Sequence, residues 1–176
     1  MSNAELTHFS YTVLVLVGRG GAGPHDLVRM ARQGRVYASA AESQYYAEPK
    51  RLEKLGYLRS RKEPGRTRQR THYELTEEGI RALREWMKEP TRFTPINSEA
   101  VTRMLAADLV GPKPVVKSLL GLREDVIDLL ARLDVAEAVA ATLPHRERYL
   151  LLNHKLARAI LEVHLDWLAD VDRELG

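Results

Sequence analysis

The amino-terminal part of the chain carries apolar residues at helical spacing. Three- and four-residue steps relate the apolar positions Leu6, Phe9, Val13, Leu14 and Val17. This spacing predicts an amphipathic helix. The continuous apolar run at residues 13–17 is equally compatible with a buried strand, since periodicity does not separate the two in a short run. Glycines within residues 18–23 end this element, and Pro24 is well placed to begin a second helix.

A third helix is predicted from near Ala40 to Leu55. Gly56 follows it, in the position where glycine commonly ends a helix. Pro49 lies inside this helix and cannot donate a backbone hydrogen bond. We therefore expect a bend or a break at Pro49.

A β-hairpin and a fourth helix follow. Residues 57–62 and 70–75 are short, β-prone and roughly alternating, and they flank a segment with a Pro-Gly turn. They predict a two-stranded hairpin with arginines at its tip. Thr76 can cap the next helix, which has two acids in its first turn and an apolar stripe that continues up to Pro90.

Beyond residue 96 the pattern is entirely helical. Apolar residues alternate steps of three and four between Val115 and Leu143 over about four heptads, which is typical of a helix packed along another helix. Pro144 ends this helix and opens the last one, which has two apolar lines. One line consists of Tyr149, Leu152, Leu156, Ile160, Val163 and Trp167. The other consists of Leu150, Ala157, Leu161, Leu168, Val171 and Leu175.

These patterns predict a mainly α-helical protein with a small β-wing and two domains. The first domain is expected at residues 1–90, a proline-containing linker at residues 91–96, and a helical domain at residues 97–176. One apolar line of the last helix can pack on the preceding helix as an antiparallel hairpin. We assign the other, the line from Leu150 to Leu175, to a homodimer interface. Burial of that line within the same chain is the alternative.

Positive charge is concentrated in the first half of the chain. Residues 1–95 hold 17 lysines and arginines against 11 acids, whereas residues 96–176 hold 10 against 13. Residues 50–70 alone hold nine basic and two acidic side chains. A concentrated positive field attracts a polyanion such as DNA. A solvated basic face is the alternative interpretation.

The predicted order of three helices, a basic hairpin and a further helix is that of a winged helix-turn-helix. One helix of such a domain enters the major groove, where base edges can be distinguished, and the hairpin lays cations along the phosphates. Gln44 lies near the amino end of the third helix, and glutamine can pair with adenine. The residues that we predict to contact DNA are Ser43, Gln44, Lys50, Arg51 and Lys54 on the helix and Arg66, Arg68 and Arg70 on the hairpin.

Two motifs resemble those of the PadR family of transcriptional regulators. The run YAEPKRLEKLGYL at residues 46–58 is similar to the recognition-helix signature of that family. The run HYELTEEG at residues 72–79, with Trp86 and Pro90 after it, is similar to the family's strand and following helix. The family commonly has proline directly after the signature tyrosine, whereas this chain has Ala47 there and a proline two residues later.

The resemblance implies a homodimer that binds double-stranded DNA and represses by covering a palindromic operator. It also implies that Tyr46 contacts a backbone phosphate, with a core tyrosine as the alternative. Many such regulators release DNA when a small aromatic or cationic molecule binds. Trp86 and Trp167 can line such a ligand pocket, although a tryptophan packed in the core is the more common case.

Other classes of function find little support in the sequence. The chain has no cysteine, its glycine-rich stretch lacks the lysine of a phosphate-binding loop, and its histidines lack metal-binding spacing. We therefore predict no enzymatic activity, no cofactor and no metal site. The longest apolar run is too short to span a membrane, so we expect a cytoplasmic protein. The alternatives are a winged-helix module that binds another protein and a regulator of the MarR type.

Overall fold

The computed structural model describes residues 6–34, 36–37, 40–64 and 69–176. They form two compact units, of which the first ends at Phe93 and the second begins at Thr94. The first unit contains α1 (His8–Val17), α2 (Pro24–Gln33), α3 (Glu42–Lys54), β1 (Leu58–Glu63), β2 (Arg70–Leu75) and α4 (Glu77–Trp86). The second contains α5 (Glu99–Leu105), α6 (Ala107–Val110), α7 (Pro112–Ala140) and α8 (Glu147–Leu175). The prediction of a mainly helical fold with a small β-wing is confirmed.

The first apolar segment is a helix, not a strand. Thr7 caps α1, because its side chain accepts a hydrogen bond from the Ser10 backbone while its own N–H donates to the Ser10 hydroxyl. This reciprocal capping satisfies two backbone donors that a helix start leaves unpaired. The face carrying Val13, Leu14 and Val17 is buried in the core of the unit.

Helix α3 continues through Pro49 without a break. Pro49 is fully buried, on the same face as Tyr45 and Leu52. Its ring is part of the packed surface of the helix, and the only backbone bond it removes is the one to the carbonyl of Tyr45. The expectation of a break is therefore wrong at this position.

The wing is an antiparallel pair with a fixed register. Leu58 pairs with Leu75 at its base, and Glu63 pairs with Arg70 toward its tip. Ala22, from the loop after α1, pairs with Tyr73 through two backbone hydrogen bonds of 3.0 Å. This extra pairing fixes β2 to the helical part of the unit. Residues 65–68 between the strands lie outside the described residues.

In the second unit, α7 and α8 pack side by side as an antiparallel hairpin. The heptad positions of α7 from Val115 to Ala140, and Leu143 in the loop after it, are buried or half-buried, as the sequence pattern predicts. Ion pairs fix the register of the two helices at both ends of the contact. Arg123 pairs with Asp172 at 2.6 Å, and Arg158 pairs with both Asp134 and Glu137 at 2.7 and 3.0 Å.

The apolar line of α8 that we assigned to a dimer interface is buried inside this hairpin. Ala157, Leu161, Leu168 and Val171 are buried, and Leu150 and Leu175 are half-buried. The assignment is wrong because these side chains repeat with the heptads of α7 and are covered by that helix. The other line is the exposed one, with exposed fractions of 66% for Tyr149, 61% for Leu152, 56% for Leu156 and 63% for Val163.

Candidate nucleic-acid interface

Helix α3 presents one polar face to solvent and buries the other. Ser43, Gln44, Lys50 and Lys54 are exposed, together with Ala47. Ser43, Ala47, Lys50 and Lys54 follow steps of four, three and four, so they lie along a single stripe. Tyr45, Pro49 and Leu52 hold the opposite face in the core. Four of the residues predicted to contact DNA are thus accessible together on one helix surface.

Arg51 differs from the other predicted contacts, because its guanidinium is bound by its own domain. It donates two hydrogen bonds of 3.0 Å to the carboxylate of Glu48 and one of 3.1 Å to the hydroxyl of Ser10. The Ser10 hydroxyl in turn donates to Glu48 at 2.7 Å. We call these three residues the Ser10–Glu48–Arg51 network.

The Ser10–Glu48–Arg51 network joins α3 to α1 beneath the exposed stripe. Ser10 is fully buried, and the side chain of Glu48 is only 14% exposed. A buried carboxylate is tolerated when it is paired and fully hydrogen-bonded, as it is here. The network therefore fixes the position of α3 on the domain. No sequence pattern pointed to it, because Ser10 and Glu48 lie far apart in the chain.

Tyr46 contacts the first turn of α2. Its hydroxyl lies 3.0 Å from Nδ1 of His25, within hydrogen-bond distance, and the two rings meet edge-on with centroids 5.6 Å apart. Tyr46 is half-buried and His25 is exposed. His25 was not among the predicted site residues, and this contact brings it beside α3.

Part of the positive charge of the wing is neutralised within the wing itself. Glu74 accepts hydrogen bonds from Arg59 at 3.0 Å and from Arg61 at 2.9 Å. The hydrogen bond from Arg59, followed by the charges of both arginines, lowers the pKa of Glu74. Arg70 is exposed at the start of β2, whereas Arg66 and Arg68 lie outside the described residues.

The two tryptophans lie in different units, and each packs against its own unit. Trp86 stacks on Tyr11 with ring centroids 4.4 Å apart and planes within 4°. Trp167 is half-buried beside the cluster that contains Leu168 and Val171. Packing thus accounts for both side chains, and their role in ligand binding stays a prediction.

Two further properties concern the described residues only. Within them, no three histidine, aspartate or glutamate side chains are grouped so that they could hold a metal ion. None of the helices seen there has the length and apolar character that crossing a membrane requires.

Comparison with known proteins relates the chain to solved structures alone. No protein-family model and no curated protein matches the sequence. The PadR-like transcriptional regulator BC1756 from Bacillus cereus shares 16% identity over 100% of both chains, with a TM-score of 0.84. Bacillus subtilis PadR in complex with operator DNA shares 18% identity over 97% of this chain and 99% of that chain, with a TM-score of 0.79. The same protein in complex with p-coumaric acid matches 93% of this chain and 92% of that chain at 18% identity, with a TM-score of 0.65.

These similarities extend over nearly the whole length of both chains, although the identities are low. They cover the wing and the helices on either side of it, where the two motifs lie, and also the helical second unit. The resemblance noted in the sequence is thereby confirmed at the level of the fold. The chain has the fold of the PadR-type transcriptional regulators, a winged helix-turn-helix followed by a helical unit.

Proposed function

We propose that this protein is a homodimeric, sequence-specific DNA-binding regulator that represses transcription from a palindromic operator. The observation that carries the proposal is the exposed stripe of α3, where Ser43, Gln44, Lys50 and Lys54 stand free on a helix whose other face is locked into the core. A helix of this kind fits the major groove. The same fold in Bacillus subtilis PadR has been captured with operator DNA, which supports this reading.

The contacts divide into base readout and phosphate binding. Gln44, near the amino end of α3, has the donor and acceptor pair that recognises adenine, and Ser43 can reach a neighbouring base edge. Lys50 and Lys54 lie further along the helix and neutralise phosphates, as do Arg66, Arg68 and Arg70 of the wing. We propose that Tyr46 and His25, whose side chains contact each other, bind a phosphate together. Arg51 acts differently, since its hydrogen bonds to Glu48 and Ser10 hold the helix in position.

We assign the dimer interface to the exposed apolar line of α8. Tyr149, Leu152, Leu156 and Val163 are all more than half exposed on one helix face. Leu120, Ile127 and Val135 on α7 are exposed to a similar degree. Apolar side chains that are grouped on a protein surface commonly mark an interaction site. A second copy covers it and supplies the two-fold symmetry that a palindromic operator requires.

We also propose that the protein is cytoplasmic and that a small flat molecule releases it from the DNA. Bacillus subtilis PadR has been solved with the aromatic acid p-coumaric acid, which supports such an effector. Trp86 and Trp167 are the aromatic surfaces available for stacking. One face of Trp86 is already covered by Tyr11, so a ligand there stacks on the other face.

Fluorescence anisotropy with the DNA upstream of the protein's own gene tests the proposal. The double variant Lys50→Ala/Lys54→Ala removes two charges from α3, and Arg103→Ala/Arg132→Ala removes two exposed arginines from the second unit as a matched control. We expect tight binding that weakens with salt, with a log–log slope that falls by about 0.9 for each lysine that neutralises a phosphate. Binding that is insensitive to salt, or weakened equally by the control, contradicts DNA recognition by α3 and favours a protein partner.

A further inference from the structure

A concave pocket lies at the base of the wing, away from the exposed stripe of α3. Its volume is about 670 Å³, and it is open to solvent on one side. Its walls come from the loop after α1, the base of β1 and β2, and α4. All of these elements belong to the first unit, so the pocket is complete within one domain.

Three arginines line this pocket and only one acid. Arg59 is paired with Glu74, and Glu74 also binds Arg61, so the single carboxylate is already shared by two guanidinium groups. Arg19 and Arg84 are both exposed. Neither has a hydrogen bond or ion pair to another side chain in the part of the chain that the structure describes. The pocket thus has two guanidinium groups available to an external anion.

The rest of the lining is apolar. Leu75 is half-buried at the end of β2, and Ile80 on α4 keeps 38% of its surface exposed. An apolar surface beside arginines favours a ligand that joins an anionic group to a compact apolar body, because the body covers the side chains while the guanidinium groups bind the anion.

The location of the pocket distinguishes it from the proposed DNA-binding surface. No residue of α3 lines it. Arg59 and Glu74 lie four residue pairs from the pair Glu63 and Arg70 that precedes the tip of the wing, which corresponds to about 13 Å along the strands. The pocket is therefore built from other side chains than those that we propose to bind DNA.

We propose that the pocket binds a small organic oxyanion, a carboxylate or phosphate on a compact apolar body, through Arg19 and Arg84. This binding does not depend on the proposed DNA-binding function. The ligand would lie between the base of the wing and helix α4, so that the bound anion holds these two elements together. The site is separate from both tryptophans, neither of which lines it.

Binding is tested on the full chain with benzoate, its neutral analogue benzamide, and inorganic phosphate as probes. Isothermal titration gives the affinity, and amide chemical shifts of Leu75 and Ile80 in a ¹H–¹⁵N spectrum locate the site. The double variant Arg19→Ala/Arg84→Ala removes the two available cations, and Arg103→Ala/Arg132→Ala again removes the same charge elsewhere. Thermal melting of each variant without ligand checks that it is folded.

We expect benzoate to shift the two amides and to bind at least about tenfold more weakly to Arg19→Ala/Arg84→Ala, since each charge-assisted hydrogen bond contributes about a tenfold factor. The control variant should bind like the unaltered protein, and benzamide should bind at least about tenfold more weakly than benzoate. If phosphate binds and benzoate does not, the site holds an adventitious ion only and the proposal is overturned. Equal loss in both variants, or weaker DNA binding in Arg19→Ala/Arg84→Ala with no benzoate binding, overturns it as well.

Discussion

Replacing Glu48 by Gln tests whether the Ser10–Glu48–Arg51 network holds α3 in position. The carboxylate accepts from Ser10 and from one amino group of Arg51 through one oxygen, and from Nε of Arg51 through the other. Glutamine keeps one acceptor oxygen and replaces the other with an amide NH₂. Depending on the orientation of the amide, this NH₂ faces either Nε of Arg51 or the hydroxyl of Ser10 and the amino group of Arg51. One charge-assisted hydrogen bond is lost, and a donor meets a donor.

The expected loss of unfolding free energy follows from these contacts. A hydrogen bond to a charged group contributes about 1.5–3 kcal/mol. The guanidinium side of the pair is 41% exposed, so solvent screening reduces the Coulombic part and favours a value near the middle, about 2 kcal/mol. In a unit of this size such a loss lowers the melting temperature by about 10 °C.

Urea unfolding followed by tryptophan fluorescence measures this loss. In a Trp167→Phe background the signal comes from Trp86 alone and therefore reports on the first unit. Glu42→Gln is the matched control, because Glu42 is on the same helix and pairs with Arg32 in an exposed ion pair that should contribute about 0–1 kcal/mol. A double-mutant cycle with Ser10→Ala should give a coupling of about 1 kcal/mol between positions 10 and 48. If Glu48→Gln costs no more than Glu42→Gln, the reasoning is refuted.

Three further predictions concern the hairpin, the wing and the loop after α1. Leu152→Glu should convert a dimer to a folded monomer in analytical ultracentrifugation, because Leu152 is exposed, whereas Leu161→Glu should unfold the second unit, because Leu161 is buried in the hairpin; a folded dimer for Leu152→Glu would contradict the proposed interface. Because the pKa of Glu74 is lowered, its pairing with Arg59 and Arg61 stabilises the wing at pH values above the ordinary carboxylate pKa, and this stabilisation is lost as the pH falls through the lowered pKa. The unfolding free energy should therefore depend less on pH in the acid range in Glu74→Gln, and an unchanged dependence would argue against this. Gly21→Ala should reduce stability, because Gly21 has φ +71° and an added Cβ would collide with the ring of His72 and lie 2.6 Å from the carbonyl oxygen of Tyr73. Differential scanning calorimetry would show a lower Tm, and an unaltered Tm would refute the close contact.

The local elements were largely predictable because each depends on residues close together in the chain. Pro24 at the start of α2 and Thr76 at the start of α4 are short-range signals with a known physical cause. The first apolar segment was ambiguous until its capping by Thr7 and Ser10 was visible. Its helical state depends on packing against the other helices, which periodicity does not report.

Features that depend on distant residues were not predictable. The two apolar lines of α8 are similar in sequence, and only the register with α7 decides which of them is buried. His154 and His164 also follow the spacing of the buried line, so polarity did not separate the lines either. In the candidate site, the exposed lysines of α3 followed from helical geometry, whereas the contacts of Arg51 with Ser10 and of Tyr46 with His25 required the fold.

The pairing of Ala22 with Tyr73 has a consequence for how the protein stays in solution. At Tyr73, strand β2 has β1 on one side and Ala22 on the other. The open edge of the sheet is therefore that of β1, which pairs with no further strand among the described residues. An open strand edge invites pairing with another molecule, and charged side chains along it oppose such aggregation. Arg59, Arg61 and Lys62 supply charged side chains along β1. Neutralising the wing therefore risks making the protein aggregate, so charge reversal is the better substitution for studying it.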